Sequence, residues 1–218
     1  MTDHATARRN MVSGQIMTNR VTDERLIEAM EEIPRERFVP HAKRAVAYVD
    51  EDVEIASGRY LMEPMVLARL VQEAGIGADD VVLDVGCGTG YATAVMSRLA
   101  GTVVALDVDG SLAAEAERTL SGVDADNAIV VTGPLAEGYA RQAPYDVILL
   151  SGAVDHLPHA LTDQLAEGGR IVGVLREPGR VGQATLWARH RGALSSRSLF
   201  EASLPPLPGI ARPVRFEF

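Results

Sequence analysis

The sequence predicts an α/β protein with a mostly parallel sheet flanked by helices. Three observations predict it. The run Val81-Val82-Leu83-Asp84-Val85 is almost continuously apolar and β-branched, as a strand covered on both faces must be. That run opens into Gly86-Cys87-Gly88-Thr89-Gly90-Tyr91 and then into the helix formers of residues 92–99, so a glycine turn joins a strand to a helix. Short apolar runs and helical periodicities alternate from residue 64 to residue 175, which is the pattern of βα units.

The elements follow in order. Met11, Val12, Ile16 and Met17 predict a short helix within residues 1–20. Thr22 is the expected N-cap of a second helix. Asp23 and Glu24 sit in its first turn, where the helix dipole favours acids, Leu26, Ile27, Met30 and Ile33 line one face, and Pro34 stops it. Residues 41–58 form a looser segment whose Asp50, Glu51, Asp52 and Glu54 suit a solvated surface, and residues 58–63 read as a loop. Pro64 suits a first helical position, Leu67, Leu70, Val71 and Ala74 a buried face, and Gly75 a helix end. Residues 102–106 form a second strand that ends in Asp107, and Ser111 is expected to cap a helix running to Leu120. Residues 128–131 and 145–150 are a third and a fourth strand, separated by a loop from Gly133 to Pro144, with Ser151-Gly152-Ala153 as the loop after the fourth. A helix within 157–165 is stopped by Gly168-Gly169, and residues 171–175 are a fifth strand. Past a turn at Pro178-Gly179, residues 184–188 and 214–218 are expected as late antiparallel strands.

The bulk composition narrows the function. At 218 residues the chain is long enough for one domain with a full core. The net charge of −9 argues against nucleic acid as a partner, because phosphate binding needs a basic face. Cys87 is the single cysteine, so no intrachain disulfide forms and a reducing compartment fits. Residues 2–10 are polar, and no apolar run reaches the roughly 18 residues of a membrane span. A cytoplasmic protein that does not enter a membrane is expected.

A strand, a glycine turn and a helix N-terminus together cradle a nucleotide-sized ligand. A dinucleotide turn is G-x-G-x-x-G, whose third glycine lets helix and strand pack closely. Here the spacing is Gly86-x-Gly88-x-Gly90, and Tyr91 stands where that third glycine belongs. Asp84 lies inside the strand, just before the turn. The pattern D-x-G-x-G-x-G resembles motif I of the S-adenosylmethionine-dependent methyltransferases. That cofactor carries a sulfonium and an amino-acid moiety, which an acid such as Asp84 can orient. Asp107 ends the second strand, where a carboxylate can accept from both ribose hydroxyls. The candidate cofactor-binding residues are Asp84, Gly86, Cys87, Gly88, Thr89, Gly90, Tyr91, Asp107, Val108, Gly133, Pro134, Leu135 and Ser151. Cys87 supplies a small residue to the loop and has no expected catalytic role. A nicotinamide dinucleotide is the alternative ligand.

Beyond the cradle come Asp23-Glu24-Arg25-Leu26-Ile27-Glu28-Ala29-Met30, Ile33-Pro34-Arg35-Glu36-Arg37-Phe38-Val39-Pro40 and Ala47-Tyr48-Val49-Asp50. Ala143-Pro144-Tyr145-Asp146-Val147-Ile148 and Gln164-Leu165-Ala166-Glu167-Gly168-Gly169-Arg170 follow. With these runs the chain resembles the protein-L-isoaspartate O-methyltransferase family over nearly its whole length. The run from Asp23 to Pro40 is specific, since generic methyltransferases lack it. The resemblance implies a Rossmann-like methyltransferase fold, with a mostly parallel seven-stranded sheet and an N-terminal helical extension. It implies a single domain over 1–218, with the extension and a substrate loop in 1–60 and the Rossmann-like core in 61–218. It further implies methyl transfer from S-adenosylmethionine to the α-carboxylate of L-isoaspartyl residues, the first step in repairing damaged proteins. The partner is then a protein or peptide carboxylate.

Two departures from the family pattern stand out. The family's I-S-Q-P-type segment carries an active-site serine, whereas here Leu61-Met62-Glu63-Pro64 puts Met62 at that position. The family's G-D-G after the third strand carries an acid near the adenine, whereas here the residues are Gly133-Pro134-Leu135. Methyl transfer to a carboxylate demands positioning and exclusion of water above all. A carboxylate of intrinsic pKa about 4 is already ionised at neutral pH and needs no general base. Met62 therefore replaces an orienting hydrogen bond by a flexible apolar surface, which suits a more apolar acceptor, a different carboxylate or a small molecule. Loss of isoaspartyl activity with the cofactor site retained is a third possibility. Arg59 and Tyr60 join Met62 as acceptor-side candidates. Arg59 either pairs bidentately with an acceptor carboxylate or is an ordinary surface arginine, and Glu63 suits a cap on the next helix. Asp155, His156 and His159 follow the fourth strand, but Pro158 breaks their spacing and no metal is expected. Either histidine would suit a general base toward a hydroxyl acceptor.

Overall fold

A computed structural model describes residues 3–177 and 179–210. Its centre is β3 (Val81–Val85), which is buried from Val82 onward. It pairs in parallel with β4 (Thr102–Asp107) on one side and β6 (Tyr145–Val154) on the other. β4 pairs in parallel with β5 (Ala128–Thr132), and β6 with β7 (Leu165–Leu175). β8 (Gln183–His190) and β9 (Ala193–Glu201) complete the sheet antiparallel. Among the described residues the order is β5-β4-β3-β6-β7-β8-β9. The chain grows outward one way from β3 to β5 and then the other way from β6. That reversal opens a crevice at the C-terminal ends of β3 and β6, the place where open α/β sheets bind ligands.

The period of two along each strand sorts the core into two layers. Val82, Val103, Ala105, Val147 and Val172 face α1 (His4–Met11), α2 (Glu24–Glu32), α3 (Pro64–Ala74), α4 (Tyr91–Ser97) and α5 (Gly110–Ser121). Leu83, Val85, Val104, Ile148 and Leu150 face the other way, under Leu135, α6 (His159–Asp163) and the segment carrying Leu207 and Ile210. Pro64 starts α3, and Gly75 ends it with a left-handed backbone (φ 59°). No helix among the described residues is long and apolar enough to cross a membrane.

Several elements differ from the sequence expectation. Asp23, not Thr22, caps α2, its carboxylate accepting from the N–H groups of Arg25 and Leu26. Asp109, not Ser111, caps α5, and Ser111 is already helical with its hydroxyl donated to Asp109. In both cases the acid directly before the first helical residue offers its carboxylate to two free N–H groups at once. The segment before residue 64 is not all loop. It holds a hairpin of β1 (Val53–Ala56) and β2 (Arg59–Leu61), turned at Gly58 (φ 69°), with Val53, Ile55 and Leu61 inward. α1 ends at Met11 and the chain continues as a wide π turn and a 3-10 turn, which leaves Met17 exposed. Residues 151–153 belong to β6, where the pairing with β7 shifts register between Leu149 and Ala153. β7 begins at Leu165, so the helix before it is confined to His159–Asp163. Pro178 and the expected strand 214–218 lie outside the described residues. The antiparallel edge is formed by β8 and β9.

Candidate active site

The strand ends bring two acids and a glycine turn together. Asp84 faces the helical layer from the end of β3 and is fully buried. Its Oδ2 accepts the Thr93 hydroxyl of α4 (2.6 Å), and its Oδ1 the Ser151 hydroxyl of β6 (2.5 Å). Burial pushes its pKa up to about 6, and the two hydroxyls hold it from going higher. Ser151 was legible from its place after the fourth strand. Thr93 was not, because one polar residue inside a helix of small residues carries no signal of its own.

Asp107, at the end of β4, is also fully buried. Its Oδ1 accepts from Arg59 Nη1 (2.7 Å) and the Asp109 N–H (3.0 Å). Its Oδ2 accepts from Arg59 Nη2 (2.6 Å) and the Gly88 N–H (2.8 Å). Arg59 thus forms a bidentate ion pair with Asp107 and its side chain is largely buried, so in this structure it is neither an ordinary surface arginine nor free to meet an acceptor carboxylate. Burial opposes its charge, but the bond to Asp107 outweighs that and raises its pKa. Arg59 Nη2 also reaches the Gly86 carbonyl at 3.3 Å.

The turn itself is drawn onto β4 by the N–H groups of Gly86 and Cys87, both donated to the Leu106 carbonyl (2.8 and 3.1 Å). Gly86 has φ 82°, and a Cβ there would lie 2.5 Å from Leu207 Cδ2. Gly88 has φ 56°, and its Cβ would lie 2.6 Å from Ile55 Cδ1. Gly90 (φ 93°) lets the start of α4 lie close to α5, where a Cβ would stand 3.3 Å from Ala116 and Leu120. Cys87 is buried, and burial holds its thiol well above the usual range.

Two expected cofactor residues, Thr89 and Tyr91, turn their side chains away from the cradle. The Thr89 hydroxyl is donated to the Phe38 carbonyl (2.6 Å). Tyr91 is fully buried, edge-on to Phe38 at 5.4 Å and beneath the Arg35 guanidinium at 4.7 Å. Both side chains serve to seat the N-terminal segment on the core. Val108 and Pro134 are exposed. Gly133 donates its N–H to the Asp107 carbonyl (3.0 Å), and Leu135 packs on the same side as Leu207.

On the acceptor side a cleft lies between the hairpin and the segment 204–207. Asp52, Arg59, Tyr60, Met62, Ser151 and Leu207 line it. Met62 is 6% exposed, and its carbonyl accepts from Nη2 of the buried Arg35 (2.7 Å), whose Nε bonds the Ala47 carbonyl (2.7 Å). Arg35 therefore ties Met62 to the segment before the hairpin. Asp52 is half-buried and accepts the Glu63 N–H (2.9 Å), so the acidic run is not wholly a solvated surface. Glu63 stands before α3 but makes no side-chain cap bond. Burial, then Asp52 and Asp50, push its carboxyl up to about 7. Leu207, Ile55, Asp52 and Arg35 were missed because each enters the site through a contact distant in sequence. Among the described residues no group of three or more His, Cys, Asp or Glu side chains is placed to hold a metal. His156 is half-buried, His159 exposed, and Asp155 pairs with Arg176 (3.1 Å).

The sheet order, with acids at the ends of β3 and β4 around a glycine turn, defines the class as a Rossmann-like, S-adenosylmethionine-dependent methyltransferase. Within that class the chain belongs to the protein-L-isoaspartate(D-aspartate) O-methyltransferase family, whose model matches residues 7–199. A protein-L-isoaspartate O-methyltransferase of Koribacter versatilis is 37% identical over 209 residues, 96% of this chain and 94% of the relative. One of Methanoregula boonei is 38% identical over 165 residues, 76% of each chain. A solved protein-L-isoaspartate O-methyltransferase superposes with a TM-score of 0.81 at 26% identity, over 94% of this chain and 67% of the other. A Plasmodium falciparum structure assigned to the same enzyme, in complex with S-adenosyl-L-homocysteine, shares the fold with a TM-score of 0.80 at 17% identity, over 96% of this chain and 100% of the other.

Proposed function

We propose that the protein transfers the methyl group of S-adenosylmethionine to the carboxylate of isoaspartyl residues in proteins or peptides, in the cytoplasm. The family match over residues 7–199 carries this reading, and the residues at the strand ends suit the cofactor. In this reading Asp84 takes the amino-acid moiety and Asp107 the ribose hydroxyls, with Gly86, Cys87 and Gly88 as the cradle and Gly133 and Leu135 as the wall beyond it. The cofactor supplies a methyl already activated by its sulfonium. The chain's own residues position the acceptor and exclude water. Met62, Leu204 and Leu207 are apolar and buried at the cleft, so a carboxylate that enters it loses its hydration shell. That carboxylate is ionised at neutral pH, and no side chain has to remove a proton.

The buried Met62 favours a second acceptor class: a different, more apolar carboxylate or a small molecule on the same cofactor. One experiment separates the two. The protein is incubated with S-adenosylmethionine and an isoaspartyl peptide, with the matching aspartyl peptide as control, and methyl ester is measured by mass spectrometry. Ester on the isoaspartyl peptide alone supports the first reading. Binding of S-adenosylhomocysteine with no ester on either peptide supports the second, or a cofactor-binding protein without isoaspartyl activity. Met62→Ser should raise the rate on the isoaspartyl peptide if Met62 is what shifts the acceptor, and equal rates remove that explanation.

A further inference from the structure

We propose that Arg59 is a specificity-determining switch shared by the two halves of the site. It guards the ribose-binding carboxylate until the cofactor enters, and the released guanidinium then takes the acceptor's carboxylate, so that cofactor binds first and acceptor second. The acceptor half of this proposal rests on the isoaspartyl reading above.

A carboxylate offers about four acceptor directions. Asp107 uses two for the N–H groups of Gly88 and Asp109 and two for the fork of Arg59. The two backbone donors belong to the turn and to the start of α5, and they stay when a ligand enters. Ribose hydroxyls therefore reach Asp107 only by replacing Arg59. The arginine is also the one donor there that can leave. It sits on β2, in a two-stranded hairpin apart from the main sheet, with a register shift between Glu54 and Ala56 and a left-handed turn at Gly58. Such a hairpin is marginally stable by itself. The same hairpin presents Ile55 to Gly88, so one movement clears both the acid and the glycine turn.

The cleft gives the released guanidinium its second task. Among the described residues that line it, Arg59 is the only cation and Asp52 the only acid. While Arg59 is paired with Asp107, an anionic acceptor meets Asp52 and no compensating charge. Once the ribose hydroxyls hold Asp107, the fork of Arg59 is free to bind a carboxylate bidentately beside Met62. Each ligand thus favours the other through one side chain with two mutually exclusive partners.

The test uses the whole protein, S-adenosylhomocysteine as cofactor probe and an isoaspartyl peptide as acceptor, with binding followed by calorimetry. In Arg59→Gln the guard is gone, and S-adenosylhomocysteine should bind about tenfold more tightly while the peptide KM rises about tenfold with a smaller change in kcat. A general loss of structure would weaken both ligands together. Arg59→Lys keeps the charge but not the fork and should fall between parent and Arg59→Gln for S-adenosylhomocysteine. In the parent, S-adenosylhomocysteine should tighten peptide binding about tenfold, a measurement that needs no variant. Equal or weaker S-adenosylhomocysteine binding by an Arg59→Gln protein with the parent's thermal midpoint overturns the proposal, as does, in the parent, peptide affinity indifferent to S-adenosylhomocysteine. A parent that binds S-adenosylhomocysteine but never an isoaspartyl peptide defeats the isoaspartyl reading instead. The Arg59→Gln affinity for S-adenosylhomocysteine then still decides whether Arg59 guards Asp107.

Discussion

Asp84 holds a carboxyl group where water does not reach it, and the two hydroxyls of Thr93 and Ser151 are what its ionised form has for solvent. Its folded pKa lies at about 6 against 3.8 for the free side chain. The folded protein therefore keeps a proton over a pH range in which the unfolded chain has lost it. The stabilisation from that proton is complete below 3.8 and is lost as pH rises through about 6. Asparagine cannot ionise, so the thermal midpoint of Asp84→Asn relative to the parent should climb across that window and level off above it. A difference that stays flat with pH would contradict the burial of the charge. Glu63, at about 7, acts with the same sign in a higher window, and it cancels when the variant is compared with the parent. The same ionisation governs the ligand. A cationic amino group gains from Asp84 only in its charged form, so affinity for S-adenosylmethionine should weaken as pH falls through about 6.

At the scale of the element, the glycine turn answers two demands at once. Gly88 has a left-handed backbone, and the space where its Cβ would stand is taken by Ile55 of the hairpin. A side chain at such a φ costs about 1–3 kcal/mol. Gly88→Ala should destabilise the protein by about that much, measured by urea unfolding, with the clash added to the strain. Adding Ile55→Ala should relieve the clash and leave the strain, so the double variant should lose less than the sum of the two single losses. Strict additivity would show that Ile55 does not press on the turn. The turn was legible because glycine spacing is local. The hairpin was not, because β1, with Asp50, Glu51 and Asp52 before it and Glu54 within it, looks like a solvated loop until its inward residues, Val53 and Ile55, are seen against the core.

Over the whole molecule, the two layers of the core are unequal. Five helices cover one face of the sheet, while α6, Leu135 and the segment through Leu207 and Ile210 cover the other. That segment is held by few backbone bonds, among them Ala153 N–H to the Pro205 carbonyl and Leu207 N–H to the Ala153 carbonyl. Leu207, 4% exposed, lies over Gly86 and Gly152 and so joins the second layer of the core to the cofactor turn. Leu207→Ala should cost about 2–5 kcal/mol in urea unfolding and change the affinity for S-adenosylhomocysteine as well. A variant that loses stability with unchanged affinity would separate the segment from the site.

The sequence by itself determined the central strands, the parallel sheet, the glycine turn with Asp84 and Asp107 at the strand ends, and the family. Each of these is written in neighbouring residues: a run of β-branched side chains, a glycine spacing, an acid at a strand end, a specific run from Asp23 to Pro40. Which side chains share a partner was decided only by the tertiary structure. Arg59 is 48 residues from Asp107, and Arg35 is 27 from Met62. Thr89 and Tyr91 lie within the motif, yet they turn from the cradle because Phe38 and Arg35 pack beneath the turn. Periodicity tells which face a residue occupies. It does not tell which of the groups that meet there will hold a given charge, since that depends on competition among donors brought together by folding.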